Sequence, residues 1–272
     1  MKKTLSGVML FLGFLSTQAQ NQIEFEEYDL DNGLHVILHQ DKSTPIVAVT
    51  VLYHVGSKNE DTNRTGFAHF FEHLLFEGTQ NIKRGEYDTY VINAGGALNA
   101  NTTQDRTFYY ELLPSNELAL GLWLESERML HANILQEGVD TQREVVKEEK
   151  RQRIDNQPYA SFATEMFKRS FSQHPYHWSP IGSMDHLNSA QLSQFMDFYK
   201  KFYIPNNATL SIAGDIDFEE AKKLIATYFS DIPRGAEVVQ PEVVEPALTA
   251  EISANVYDNI QLPATFIGYR VP

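Results

Sequence analysis

The chain has 272 residues, 42% of them hydrophobic, and a formal net charge of −14. That is enough apolar material for one large domain or two small ones with a proper core, and so acidic a balance argues against nucleic acid and anionic membrane as partners. Cysteine is absent, which rules out disulfides, thiolate metal sites, catalytic thiols and a lipidated-cysteine anchor.

The first residues have the form of a secretory signal peptide. Lys2 and Lys3 precede a short apolar run, and small residues follow, with cleavage expected after Ala19. The run is short for a transmembrane helix; an uncleaved N-terminal anchor is the alternative. No other stretch is long and apolar enough to span a bilayer. The expectation is an exported bacterial protein, periplasmic or extracellular, with no membrane span after signal cleavage.

Apolar and acidic residues alternate from Ile23 to Tyr28, which predicts a strand. Asp31-Asn32-Gly33 is a hairpin signal, and Leu34 to His39 forms the return strand. Ile46 to His54 is rich in β-branched residues and reads as a central strand. A polar loop from Gly56 to Thr65 leads into a helix between Gly66 and Gly78.

That helix carries His69-x-x-Glu72-His73. Residues three and four apart share one face of a helix. Two imidazoles and one carboxylate therefore point the same way. Two histidines at this spacing can each give a ring nitrogen to one Zn²⁺, and a glutamate beside them can take a proton from water. Phe67, Phe70, Leu74 and Phe76 supply the apolar bulk that buries such a helix. Two histidines on one buried face need an explanation, since burying a polar group without a partner costs free energy.

Arg84 to Asn93 predicts a second helix, closed by Gly95-Gly96. The polar, small-residue run Ala97 to Asp105 reads as an edge strand or an asparagine-rich hairpin turn, and Arg106 to Leu113 as a clear strand. Asn116 to His131 is a helix with Glu117, Glu125, Glu127 and Arg128 as polar positions among leucines. Glu137 to Asp155 is a longer, more charged helix. Its Glu144, Glu148 and Glu149 are all candidates for a third ligand. Glu148 and Glu149 lie about 100° apart around a helix, so only one of them faces the metal, and helix geometry alone does not choose. Gln142 precedes Glu149 by seven residues and shares its face.

Further helices are expected over Tyr159–Phe171, Ser189–Phe202 and Asp217–Phe229, with a strand over Asn207–Gly214. His174 and His177 sit in a proline-punctuated aromatic loop, where packing rather than metal binding is expected. Residues 231–250 are rich in Pro, Val and Glu and read as linker, and Asn255–Asp258 and Ala264–Tyr269 start new strands. The mixed order with hairpin connections predicts an α+β fold, one mainly antiparallel sheet packed with helices.

The stretch from Gly66 to Thr79, with the segment from Gln142 to Arg153, resembles the signature of the pitrilysin/insulinase family of zinc peptidases. The likeness runs from about residue 24 to the C-terminus. It implies that His69 and His73 bind one Zn²⁺ and that Glu72 is the general base. A third ligand some 76 residues beyond the second histidine is implied, and that position here is Glu149. Several relatives place a zinc-supporting glutamate where this chain has Gln142, an uncharged amide that can still orient a ligand by hydrogen bonding; an ordinary surface glutamine is the alternative. The family's substrate strand corresponds to Asn99, Ala100 and Asn101, where an extended peptide adds by backbone hydrogen bonds. The implied division is a signal peptide over 1–19, a zinc-binding peptidase domain over 20–235, a linker over 236–250, and over 251–272 the start of a second, homologous roll.

Together these readings predict a secreted zinc-dependent endopeptidase acting on peptides or unfolded segments. The alternative is a non-catalytic peptide-binding or scaffold subunit that needs a partner half, whether as a homodimer, a heterodimer or a missing C-terminal half. The metal site itself also allows a hydrolase of a non-peptide amide or ester.

Overall fold

Residues 23–271 are described by a computed structural model; the expected signal peptide lies outside them. Strands β1 (Glu26–Asp29) and β2 (His35–Gln40) form an antiparallel hairpin. Its Asp31-Asn32-Gly33 turn is the one the sequence predicts. Gly33 takes a φ of 87°, which favours glycine. The buried Asn32 amide donates to the carbonyls of Phe229 and Ile232 at 2.8 and 2.9 Å, which ties the hairpin to the far end of the domain.

β3 (Ile46–Tyr53), β4 (Ala97–Thr102), β5 (Thr107–Pro114) and β6 (Ala208–Gly214) complete a six-stranded sheet of order β1-β2-β6-β3-β5-β4. Only the β2–β6 pair is parallel. Strict alternation decides which face is covered. Val47, Val49, Val51 and Tyr53 of β3 are fully buried, while the residues between them are half-buried. β4 pairs with β5 alone, so it is an edge strand.

Among the described residues eight helices accompany the sheet: α1 (Phe67–Leu74), α2 (Tyr87–Asn93), α3 (Leu118–His131), α4 (Gln136–Lys150), α5 (Phe162–Ser170), α6 (Met184–Ser189), α7 (Leu192–Phe202) and α8 (Phe218–Phe229). α1 is the most apolar of them at the centre, burying Phe67, Phe70, Phe71 and Leu74. Phe195 of α7 stacks on Phe67 and on Phe70, each at 4.6 Å between ring centres. Phe195→Ala should destabilise the fold by roughly 3–5 kcal/mol, because it removes a fully buried ring and leaves a cavity; urea unfolding measures this directly.

Several expectations are corrected. The helix expected from Ser189 to Phe202 is two helices, α6 and α7, divided at the extended Ala190. α6 starts earlier, where the Ser183 side chain caps the amide of His186. The helix predicted over Tyr159–Phe171 begins only at Phe162, after Tyr159 adopts a φ of 66°. Of the polar positions of α3, Glu125, Glu127 and Arg128 are buried, an outcome the sequence reading did not address. Arg128 lies over the rings of Phe76, Tyr87 and Tyr109 at 4.7, 4.6 and 4.0 Å. It also pairs with Glu125 at 3.3 Å and Glu111 at 3.5 Å. Burial and the charge of Glu125 push the Glu111 carboxyl well above its ordinary range.

The strands expected at Asn255–Asp258 and Ala264–Tyr269 are not formed. Both segments are irregular and pair with no strand among the described residues. The segment from 233 to 271 instead runs as irregular chain. It is fastened by Glu245, which accepts amide hydrogen bonds from Ser172, Gln173 and His174 at 2.7–2.8 Å. Phe266 stacks on Phe162 of α5 at 4.6 Å.

Candidate metal centre

Three elements build the site. β3 leads through a loop to α1, which carries His69, Glu72 and His73. α4 brings Glu149 across to them. β4 closes the side with Thr102.

The start of α1 is set by two residues. Gly66 has a φ of 96°, and a β-carbon there would sit 2.8 Å from the carbonyl oxygen of Ile181, so only glycine fits. Glu60 then accepts from the amides of Gly66 at 2.9 Å and Ala68 at 2.8 Å. These amides lack helical partners, and a carboxylate suits the positive end of the helix. Burial pushes the Glu60 carboxyl up to about 8 against the pull of those amides. The sequence reading missed Glu60 and treated its segment as a polar loop. An acid six residues before a helix-opening glycine was the available signal.

His69 and His73 lie edge to face, 5.0 Å between ring centres. Their Nε2 atoms stand 3.6 and 3.2 Å from the same oxygen, Oε2 of Glu149. One donor atom from each residue can be chosen so that all lie within 4.8 Å of one another. Glu148 turns away and binds Arg151 and Gln152, and Glu144 binds Lys147. Of the three acids of α4 that helix geometry left open, the structure brings Glu149 to the histidines.

The donor set fits zinc. Ligands at about 2.0–2.1 Å in a tetrahedron are about 3.3 Å apart, and the two histidine–carboxylate separations, 3.6 and 3.2 Å, bracket that value. The charge states fit as well. Burial, with His73 alongside, lowers the His69 pKa to about 4, so its ring is neutral near pH 7. The hydrogen bond from His73 holds the Glu149 carboxyl below its ordinary value. Neutral imidazole and ionised carboxylate are the forms that bind a metal. Arg153 takes the other oxygen of Glu149 at 2.8 Å, leaving Oε2 to face the histidines.

Glu72 is not one of the three converging donors. Its Oε2 accepts from the Thr102 hydroxyl at 2.7 Å, and burial raises its pKa. A raised carboxyl pKa suits a group that must take and return a proton. Thr102 ends β4, so this hydrogen bond ties the general-base candidate to the edge strand. Asn99, Ala100 and Asn101 lie along that edge, and the Ala100 amide donates to the Asn99 side chain at 2.8 Å. Gln142 does not touch the ligands. Its amide donates to Glu77 at 2.5 Å instead, a correction to the expectation that it orients Glu149 directly. His174 and His177 pack locally, His177 against the carbonyl of Phe171 at 2.7 Å.

A six-stranded α+β layer thus sets a His-x-x-Glu-His helix against a distant glutamate, a donor set that fits one divalent metal. Comparison with known proteins gives the family. Residues 35–179 match the model of Insulinase (Peptidase family M16), and residues 189–272 match that of the Peptidase M16 inactive domain; the chain belongs to the M16 family. Over 273 residues it is 34% identical to the zinc protease PqqE of Helicobacter pylori, covering 98% of this chain and 62% of the relative. A crystal structure of a protease from Helicobacter pylori superposes with a TM-score of 0.79 at 35% identity, covering 83% of this chain and 55% of that one. The first half of the periplasmic protease PqqL from Escherichia coli gives a TM-score of 0.72 at 30% identity, covering 80% and 48%. The chain thus spans about half to three-fifths of the length of these relatives. Among the described residues no helix is long and apolar enough to cross a membrane.

Proposed function

We propose that this chain is the zinc-binding half of an exported endopeptidase that hydrolyses peptides or unfolded polypeptide segments. The observation that carries the reading is the convergence of two imidazole nitrogens on one carboxylate oxygen, at 3.6 and 3.2 Å, with a second acid, Glu72, held beside them by Thr102. His69, His73 and Glu149 would hold one Zn²⁺, which when bound polarises a carbonyl and makes water acidic near neutral pH.

The chain's own residues do the rest. Glu72 removes a proton from the attacking water and returns it to the leaving amine. Thr102 holds that carboxylate in place before the proton arrives. The free side of β4, at Asn99, Ala100 and Asn101, takes the substrate as an added strand. Backbone hydrogen bonds then bind many sequences, which suits unfolded segments. Export is supported by the form of residues 1–19 and by the periplasmic relative PqqL. A partner half is supported by the greater length of the relatives.

A scaffold role is the rival, but nothing in a scaffold requires the half-buried acid at Glu72. The test uses the full chain with an unstructured fluorogenic peptide. One zinc should bind per chain, hydrolysis should stop when a chelator removes it, and it should return when zinc is restored. Peptide cleavage that persists in the metal-free chain overturns the reading.

A further inference from the structure

α4 carries the third ligand but has little apolar hold on the domain. Of its fifteen residues only Gly138, Val139 and Val146 are buried. Two valines a heptad apart seat the helix on its face but fix its position along its axis weakly. Polar ties must set that position. On one side Arg143 donates to the carbonyls of Leu187 and Ala190 at 3.0 and 2.7 Å. On the side of α1, apart from the ligand cluster itself, the tie is Glu77.

Glu77 lies just past the end of α1, its amide still bonded to the Leu74 carbonyl at 3.1 Å. It stands four residues after His73, one helical turn along. Its side chain is only 9% exposed. One carboxylate oxygen accepts from Gln142 at 2.5 Å, and the other accepts from Arg84, whose guanidinium also reaches Glu137 at 3.1 Å. Gly138 leaves room for this carboxylate: a β-carbon there would lie 3.2 Å from its oxygen. Gln142 is two turns before Glu149 on the same face of α4. The Glu77–Gln142 bond thus joins a point one turn beyond His73 to a point two turns before Glu149.

We propose that Glu77 is a positioning residue, acting with Gln142 to fix α4 against α1 so that Glu149 meets His69 and His73. It touches neither the metal position nor the substrate edge. This rests on the zinc site proposed above and adds a residue to it. The carboxylate on the α1 side and the amide on the α4 side form a neutral-to-charged hydrogen bond, a stronger kind than an amide pair gives.

The test measures zinc affinity of the full chain by competition with a chromophoric chelator, and the visible spectrum of the Co²⁺-substituted protein. In E77A and Q142A the zinc Kd should rise about 10–100-fold, the range for loss of a supporting hydrogen bond. The double variant should be no worse than E77A, because both changes break one link. E77Q, which keeps an acceptor oxygen, should recover much of the affinity. The Co²⁺ bands should shift in E77A and Q142A, which a purely structural loss of stability does not cause. If E77A does not fold, Q142A carries the test, since it removes only an amide. Wild-type affinity and an unshifted Co²⁺ spectrum in Q142A and in folded E77A overturn the inference while leaving the zinc site intact. A wild-type chain that binds no zinc, or an H69A chain that binds it equally well, overturns the site reading itself.

Discussion

Glu72→Gln should lower peptide hydrolysis by about 10²–10⁴-fold, the contribution expected of a positioned general base, while zinc content stays at one per chain. The two parts of this result have separate physical origins. Glu72 sits on the face of α1 between the two histidines in sequence, yet the carboxylate that meets their Nε2 atoms belongs to Glu149. Removing the charge of Glu72 therefore leaves the three donors as they are. Glutamine keeps the volume and still accepts the hydrogen bond that the Thr102 hydroxyl gives Glu72 at 2.7 Å. What it lacks is basicity, so no proton leaves the attacking water. Steady-state hydrolysis of an unstructured peptide, with metal analysis of the same sample, checks both halves. Full activity in the variant would remove Glu72 from the mechanism.

Glu149→Gln and Glu148→Gln should behave oppositely although the residues are neighbours. The first should weaken zinc binding by more than about 100-fold, beyond what loss of a mere supporting hydrogen bond costs. The second should leave it within about twofold of wild type, as a surface ion pair contributes little. Glu149 is 14% exposed and offers one oxygen to both histidines. Glu148 is 52% exposed and its oxygens are taken by Arg151 and Gln152. His73→Ala should match Glu149→Gln in effect, since each removes one of three donors. Chelator competition at fixed pH reads all three variants. Equal losses from Glu148→Gln and Glu149→Gln would mean that α4 presents a different face to the histidines than the structure shows.

Much of the local structure was written in the chain. The 3.6-residue period placed His69, Glu72 and His73 on one face of one helix, and short apolar, β-branched or aromatic runs marked β2, β3 and β5. These features depend on residues close in sequence, where side-chain spacing and backbone geometry suffice. The same reasoning could expect but not establish an edge strand at 97–102, because an edge is a statement about which neighbour is missing. The sheet order supplies it: β4 has β5 on one side and, among the described residues, no strand on the other.

Tertiary structure decided what depends on two distant segments meeting. It selected Glu149 over Glu144 and Glu148, since a helix of many acids turns only one of them toward α1. It buried Arg128 with Glu111 and Glu125, which the sequence reading did not address; the rings of Phe76, Tyr87 and Tyr109 cover the guanidinium only once α1, α2, α3 and β5 are assembled. It sent Gln142 to Glu77, a partner 65 residues away. Periodicity fixes the direction of a side chain about its own helix, but the partner it meets is set by how two helices pack, and that packing is a property of the whole core.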